Sequence, residues 1–244
     1  MTAQLQSELR KLTTTRTAPV LLLAAVAMAA FGALSEGLSG ASDLLARREE
    51  QRMLFGQVTS VAVFFATLAG LLAVTSEFRY GTIRWTLTFE PRRHVVLGAK
   101  LLAAALVALG FAACCVAVAL GGGIAISAAR DVDPALTAGD TLVLVLGPFA
   151  ASALSAMIGV ALGTLIRNQV GAIVAFVAYG FLVDALLFAA APSIGRFFPG
   201  QAGNALVGQV DEHFLAPGIA VVVVAAWTLA FVGVALGRDQ RTDV

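Results

Sequence analysis

Six long apolar runs, each nearly free of charge, constrain this chain more than any other feature of its sequence. They lie roughly at residues 19–38, 56–76, 95–127, 141–165, 170–191 and 218–237. A helix needs about 20 apolar residues to cross a hydrocarbon layer of about 30 Å. Over the whole chain, 59% of the residues are hydrophobic and 13% are charged. These runs predict an all-α integral membrane protein with six transmembrane helices, and they exclude a soluble domain.

The charges between the runs predict how the chain is oriented. If the spans alternate in direction, one side of the membrane receives eleven basic residues and the other receives five. The eleven are Arg10, Lys11, Arg16, Arg79, Arg84, Arg92, Arg93, Lys100, Arg167, Arg238 and Arg241, and the five are Arg47, Arg48, Arg52, Arg130 and Arg196. Loops rich in Lys and Arg face the cytoplasm. Both termini are therefore predicted to be cytoplasmic. The Ala- and Gly-rich, Lys-poor composition indicates a GC-rich bacterial genome, so the predicted location is a bacterial plasma membrane.

The segment before the first span has the pattern of a helix that lies on a membrane. Within residues 1–18, Leu5, Leu9 and Leu12 fall on one helical face, while Arg10 and Lys11 take the other. A basic amphipathic helix binds to the lipid headgroup region. We predict an N-terminal interfacial helix in contact with membrane lipid.

The segment between the fifth and sixth spans is apolar but interrupted. Residues 193–217 contain Pro199, Gly200, Gly203 and Gly208, which break any continuous helix. A segment of this kind reaches membrane depth only where protein or a water-filled cavity covers its backbone. The pattern predicts a short re-entrant or interfacial helical hairpin on the outer side.

A polar segment with five of the sixteen basic residues separates the second and third runs: EFRYGTIRWTLTFEPRRHVVLGAK, residues 77–100. Residues 81–90 can form a short helix that ends at Pro91. Its apolar pairs at i and i+4 are Ile83 with Leu87 and Trp85 with Phe89, and Arg84 points elsewhere. Either another protein contacts this aromatic surface, or the aromatic rings rest among lipid headgroups.

The acidic residue Asp184 lies inside the fifth predicted span. Ionisable groups within a span usually face a cavity or a partner, because burial in hydrocarbon is costly. Asp184 and Tyr179, in the same span, are candidates for a substrate pathway. Alternatively, Asp184 is hydrated near the outer headgroups or bonded to a neighbouring helix.

The string GVALG occurs twice, at residues 159–163 and 233–237. Small residues at this spacing allow two helix backbones to approach closely. Packing within one subunit and contact between two subunits are both possible readings of this spacing.

The motifs of common enzymes and nucleotide-binding proteins do not occur in the sequence. It has neither the phosphate loop GxxxxGK[ST] nor the zinc motif HExxH. His94 and His213 fall on opposite sides of the predicted membrane, so they form no metal pair. The net charge of +1 gives no reason to expect a nucleic-acid partner. We predict that the chain is not an enzyme and that it binds no metal or cofactor of its own.

Four segments together resemble a known family of membrane proteins. They are SELRKLTTTR before span one, EFRYGTIRWTLTFEPRRHVVLGAK after span two, IRNQVGAIVAF across spans four and five, and RFFPGQAGNAL in the last outer loop. Over nearly the whole chain the sequence resembles the membrane subunits (permeases) of ABC type-2 exporters. The second segment carries the most specific matches, at Glu77, Gly81, Thr82, Leu87, Pro91, Arg93 and Lys100.

The resemblance implies that residues 78–93 include a coupling helix that docks on a separate ATPase subunit. The implied coupling residues are Arg79, Gly81, Ile83, Arg84, Trp85, Leu87, Phe89, Glu90, Arg92 and Arg93. It further implies two ATPase subunits, which bind ATP and Mg, and a second permease, identical or homologous. In the family the permeases meet through the first and fifth spans.

The resulting expectation is ATP-driven export by alternating access. The cargo is expected to be a hydrophobic or amphiphilic drug, antibiotic, lipid-like metabolite or peptide, and apolar faces of spans one, two and five are expected to line its cavity. The alternative is an ATP-independent secondary transporter or a non-transporting membrane assembly factor. A secondary transporter would normally carry several charges near the midplane and internal repeats of spans. This sequence offers one candidate acid, Asp184, and no persuasive repeat.

Overall fold

The computed structural model describes residues 2–39, 47–90, 92–133 and 135–241, and every regular element within these ranges is a helix. The helices are α1 (Thr2–Thr14), α2 (Thr17–Ser39), α3 (Arg48–Tyr80), α4 (Ile83–Phe89), α5 (Arg93–Arg130), α6 (Ala138–Ile166), α7 (Gln169–Ala178), α8 (Asp184–Ala190), α9 (Pro192–Gly195), α10 (Pro199–Leu206) and α11 (Pro217–Arg241). A π-helical turn, Tyr179–Val183, joins α7 to α8.

Within the described ranges, six helical segments are long and apolar enough to cross a membrane: α2, α3, α5, α6, the continuous α7–α8 and α11. They are called spans one to six below. Their number and order confirm the prediction of a six-span, all-helical membrane protein. Some helices are longer than the apolar runs, since α3 begins at Arg48 rather than near residue 56. The 38 residues of α5 extend about 57 Å, well beyond a hydrocarbon layer of about 30 Å.

Span two lies at the centre of the bundle, between spans three and four. In its most apolar window 67% of the residues are buried, against 17% in span one and 11% in span five. Apolar residues of spans two, three, four and six pack into one shared cluster that includes Val74, Leu101, Ala156 and Ala235. Spans one and five therefore lie at the edge of the bundle with most of their apolar surface uncovered.

Glycines allow spans two and four to approach closely. A Cβ atom at Gly159 of α6 would collide with the backbone oxygen of Thr67 in α3, and one at Gly163 would lie 2.8 Å from the backbone oxygen of Leu71. The first GVALG string therefore packs within the subunit, which confirms that reading for residues 159–163. At Gly233 and Gly237, in the second string, an added Cβ would meet no described atom within 4 Å.

The two GVALG strings provide a matched test of this packing. We expect Gly159→Ala to lower the free energy of unfolding by about 1–3 kcal/mol, because a methyl group overpacks the contact with Thr67. Gly233→Ala makes the same chemical change in a helix where nothing lies nearby. Equilibrium unfolding in mixed detergent micelles measures both, and equal stabilities for the two variants would contradict the close approach.

The segment between spans five and six packs against the bundle. Gln201, Ala202 and Leu206 of α10 are buried. The indole nitrogen of Trp227 in span six donates a hydrogen bond of 2.8 Å to the backbone oxygen of Phe197. The segment thus contains α9, α10 and a following turn, and it is hydrogen-bonded to span six. Its depth in a membrane stays a prediction.

Candidate functional site

Four charged side chains from three helices meet at one end of the bundle. The Nζ of Lys100 in α5 donates hydrogen bonds of 2.8 Å to Glu8 Oε2 and 2.7 Å to Glu77 Oε1. The Nζ of Lys11 donates bonds of 2.7 Å to Glu8 Oε1 and 3.0 Å to Glu77 Oε1. Glu8 and Lys11 belong to α1, and Glu77 lies near the end of α3. These four residues, called the ion network below, fasten α1 to spans two and three.

Three of the four residues of the ion network are buried. Lys100 and Glu8 are each 3% exposed, and Glu77 is 6% exposed. Charges can occupy such a place only because each meets an opposite charge at hydrogen-bonding distance. Lys11 is 40% exposed, but its ammonium group bonds into the network, which corrects the expectation that it shares the outer face of α1 with Arg10. The two lysines and two glutamates carry no net charge together.

The charges of the network shift the pKa values of its α1 members. Burial raises the pKa of Glu8, but the charge of Lys100 and the hydrogen bonds from Lys100 and Lys11 outweigh it, so that the pKa lies below 4.5. Burial lowers the pKa of Lys11, but its hydrogen bonds and charge interactions with Glu8 and Glu77 outweigh it, so that the pKa lies above 10.5.

These shifts predict how stability depends on pH. The Glu8 contribution is complete above its unfolded pKa near 4.5 and is lost as pH falls through the lower, folded value. The Lys11 contribution is complete below 10.5 and is lost as pH rises through the higher, folded value. We expect thermal unfolding measured against pH to show an acid-side loss that is smaller in Glu8→Gln. An identical acid limb in both proteins would contradict the role of Glu8.

The turn after span two positions the short helix α4. Gly81 adopts a left-handed conformation with φ of 68°, and its amide hydrogen-bonds the carbonyl groups of Glu77 and Phe78. Glycine is favoured at this helix end because it has no Cβ atom to strain the left-handed conformation. The turn places α4 directly after Glu77 and before Lys100 along the chain, between two members of the ion network. A helix was predicted over residues 81–90, and the observed helix covers Ile83–Phe89; Pro91 lies outside the described residues.

α4 presents a large aromatic surface. Trp85 is 70% exposed and Phe89 is 85% exposed, whereas Ile83 is half-buried. The side chains of Arg84 and Leu87 lie outside the part of the chain whose side chains are described. An exposed Trp and Phe on one short helix leave a considerable apolar area without a partner among the described residues.

Ionic and polar contacts flank α4 on both sides. Arg92 donates hydrogen bonds of 2.8 and 3.1 Å to the two carboxylate oxygens of Glu90. Arg79 donates one of 3.3 Å to Gln169, at the start of span five. Arg93 is the first residue of α5. The predicted coupling residues thus lie on one continuous segment between spans two and three.

Asp184 is bonded to the hairpin that follows it. Its carboxylate accepts a hydrogen bond of 2.7 Å from Gln201 of α10 and one of 3.3 Å from the Tyr179 hydroxyl, and the backbone amide of Gly200 also bonds to it. Asp184 is only 2% exposed. The structure therefore joins Asp184 and Tyr179 to each other and to α10. A role for either in a substrate pathway stays a prediction.

Gly200 leaves space for this carboxylate. A Cβ atom there would lie 2.6 Å from Asp184 Cγ, whereas one at Gly203 in the same helix would meet nothing within 4 Å. We expect Gly200→Ala to lower the free energy of unfolding by about 1–3 kcal/mol through overpacking and loss of the buried bonds. Gly203→Ala is the control, and unfolding in detergent is the measurement. Equal destabilisation by both variants would show that the loss of stability comes from placing alanine in this helix and not from a clash with Asp184.

A second ionic cluster lies where α3 and α6 begin. Arg48 Nε and Nη2 donate hydrogen bonds of 2.7 and 2.9 Å to the two oxygens of Asp140. Asp140 also forms a capping box with Thr137, which satisfies amide groups at the start of α6. Paired Arg–carboxylate bonds fix orientation well, so this cluster holds the starts of spans two and four together.

The sequence indicated that two residues of the ion network need partners, but it did not identify those partners. Lys100 lies inside the third apolar run and Glu77 directly after the second, and charges so placed need partners. Glu8, the second carboxylate that Lys100 bonds, gave no signal, because helix α1 is brought to Lys100 only by tertiary packing. Within the described residues, no group of three or more His, Cys, Asp or Glu side chains could hold a metal ion.

Taken together, the fold defines a multi-pass helical membrane protein with a buried ion network and an exposed aromatic helix at one end. A scan against protein-family models and a search of curated proteins found no match to the chain.

Proposed function

We propose that this chain is the membrane subunit of an ATP-driven exporter of the ABC type-2 class, powered by a separate ATPase subunit. The observation that carries the proposal is α4, whose Trp85 and Phe89 are 70% and 85% exposed outside the spans. Aromatic side chains of this kind are enriched where proteins meet. Since the chain has no phosphate loop of the form GxxxxGK[ST], ATP and Mg would bind the partner.

The contacts around α4 support a mechanical role. Displacement of α4 acts on span two through Gly81 and on span three through the short link to Arg93. The ion network joins both of these spans to α1 near the same place. Closure of an ATPase dimer against α4 would therefore move α1 and spans two and three together, which is the step that alternating access requires.

The uncovered spans support assembly with a second permease, identical or homologous. Spans one and five are only 17% and 11% buried in their most apolar windows. Large apolar side chains that remain exposed there are Val20, Leu23, Phe31, Val174, Phe181 and Leu186. The complete transporter would contain two permeases and two ATPase subunits.

The cargo that best fits the exposed apolar faces of spans one and five is hydrophobic or amphiphilic. Transport would proceed out of a bacterial cell across its plasma membrane, with α1 and α4 on the cytoplasmic side, where the basic residues concentrate. Drugs, antibiotics, lipid-like metabolites and peptides belong to this class of compound.

Purification from the native membrane tests the proposal. The tagged chain is extracted in mild detergent, and an ATPase subunit should co-purify with it. The reconstituted complex should then move a hydrophobic dye only when ATP is hydrolysed. Transport that follows an ion gradient without an ATPase would instead support a secondary transporter. If no transport is measured and no ATPase co-purifies, the result would support an assembly factor.

A further inference from the structure

A groove of about 350 Å³ opens beside the ion network, between α1, the start of α2 and the end of α3. Its volume falls at the lower end of the range of about 300–1,000 Å³ typical of small-molecule sites. Leu12, Leu21 and Leu72 line it with apolar surface, and Glu8, Lys11 and Glu77 line its charged floor. Such a groove suits an amphiphile, with an apolar part against the walls and a polar head at the floor.

Glu77, which lines the groove, has one carboxylate oxygen without a donor among the described residues. Glu77 Oε1 receives hydrogen bonds from both Lys100 and Lys11. Glu77 Oε2 is buried, and no donor among the described residues bonds to it. Buried carboxylate oxygens are almost always hydrogen-bonded, so this atom calls for an N–H or O–H group from outside the network.

We propose that the groove binds a phospholipid whose headgroup ends in a primary ammonium group, as in phosphatidylethanolamine. A primary ammonium carries three N–H donors and a positive charge, which match the oxygen at Glu77. The headgroup is zwitterionic, so it adds no net charge to the balanced network. Thr15 and Thr17 are exposed residues that line the groove, and their hydroxyl groups can donate to its phosphate.

The position of the groove in the bundle also suits a phospholipid. The groove adjoins the first two spans, so acyl chains can continue from Leu21 and Leu72 into the surrounding bilayer. Neighbouring atoms cover Glu77 Oε2, so the headgroup can reach this oxygen only if a side chain beside it rotates away. The side chain of Lys11 is 40% exposed and therefore has room to rotate. The proposal depends on membrane insertion and does not depend on the transport function.

A series of headgroups tests the chemistry. The detergent-purified chain is titrated with phosphatidylethanolamine, its N-methyl and N,N-dimethyl forms, and phosphatidylcholine of the same acyl chains, and bound lipid is measured by native mass spectrometry. Each methyl group removes one N–H donor while the positive charge remains. We expect affinity to fall along the series, to about tenfold weaker for phosphatidylcholine.

Substitutions test whether the lipid binds in this groove. Ala73→Leu fills the groove without touching a charge, and we expect it to weaken phosphatidylethanolamine binding by about tenfold. Ala105→Leu makes the same change at a half-buried position of α5 that does not line the groove, and it should leave binding unchanged. Glu77→Gln should flatten the headgroup series; because it also disturbs the network, Ala73→Leu is the decisive variant.

Three outcomes would overturn the proposal. Equal affinities for phosphatidylethanolamine and phosphatidylcholine would remove the role of the ammonium group. Unchanged binding in Ala73→Leu would place the lipid elsewhere. A single-chain amphiphilic amine without phosphate that binds as tightly as the lipid would assign the groove to amine compounds instead.

Discussion

Lys100→Met is expected to lower the free energy of unfolding by about 3–5 kcal/mol, because it leaves two buried carboxylates with one remaining cation. The Nζ of Lys100 bonds both Glu8 and Glu77, and the side chain is 3% exposed. Methionine has a similar length and no charge, so packing changes little. Equilibrium unfolding in mixed detergent micelles gives the free energy directly.

Lys11→Met is the matched control for this change. It removes a cation from the same network, but the side chain of Lys11 is 40% exposed and both carboxylates keep Lys100. Its effect should be clearly smaller. The double variant Lys100→Met with Glu8→Gln restores the charge balance and should be less destabilised than the sum of its single changes. Additive losses would show that the network does not act as a unit.

Replacing Trp85 and Phe89 together by alanine is expected to weaken binding of the ATPase subunit by at least about 10²-fold. Buried aromatic anchors at interfaces each contribute about 2 kcal/mol or more. Both side chains are exposed in the chain alone, so the variant should unfold at the same temperature as the unaltered protein. Binding is measured between the purified permease and the purified ATPase.

Leu229→Ala is the control for the aromatic pair. Leu229 is 73% exposed, similar to Trp85, but it lies in span six. Its removal should leave ATPase binding intact. If the aromatic double variant bound normally and supported full ATP-dependent transport, the docking role of α4 would be lost.

The spans were predictable because hydropathy is summed over about 20 residues, so that errors at single positions average out. The ends were less predictable. Charged residues such as Arg48 and Arg130 continue their helices beyond the apolar runs, since a helix does not have to stop where hydrocarbon stops.

The pairing of distant residues was not predictable from local patterns. Glu8, Glu77 and Lys100 lie far apart along the chain, and their contact depends on how three helices pack. The two GVALG strings also show that packing does not follow from local sequence. Gly159 is packed against a neighbouring helix, whereas no described atom lies near the added Cβ at Gly233.

The same limit applies at Asp184 and at α4. A charge inside a span indicated a partner for Asp184, but Gln201 lies in the interrupted segment after that span and could not be identified in advance. At α4 the sequence indicated the helix and its aromatic residues, and it left open whether protein or lipid contacts them.

Photo-cross-linking from α4 tests the docking of this helix most directly. Trp85 is replaced by the photoreactive aromatic residue p-benzoylphenylalanine, and the protein is irradiated in its native membrane. The account predicts a cross-linked product that contains an ATPase subunit, whereas the same probe at Leu229 gives none. Adducts with lipid alone at position 85 would contradict the account and support an interfacial helix.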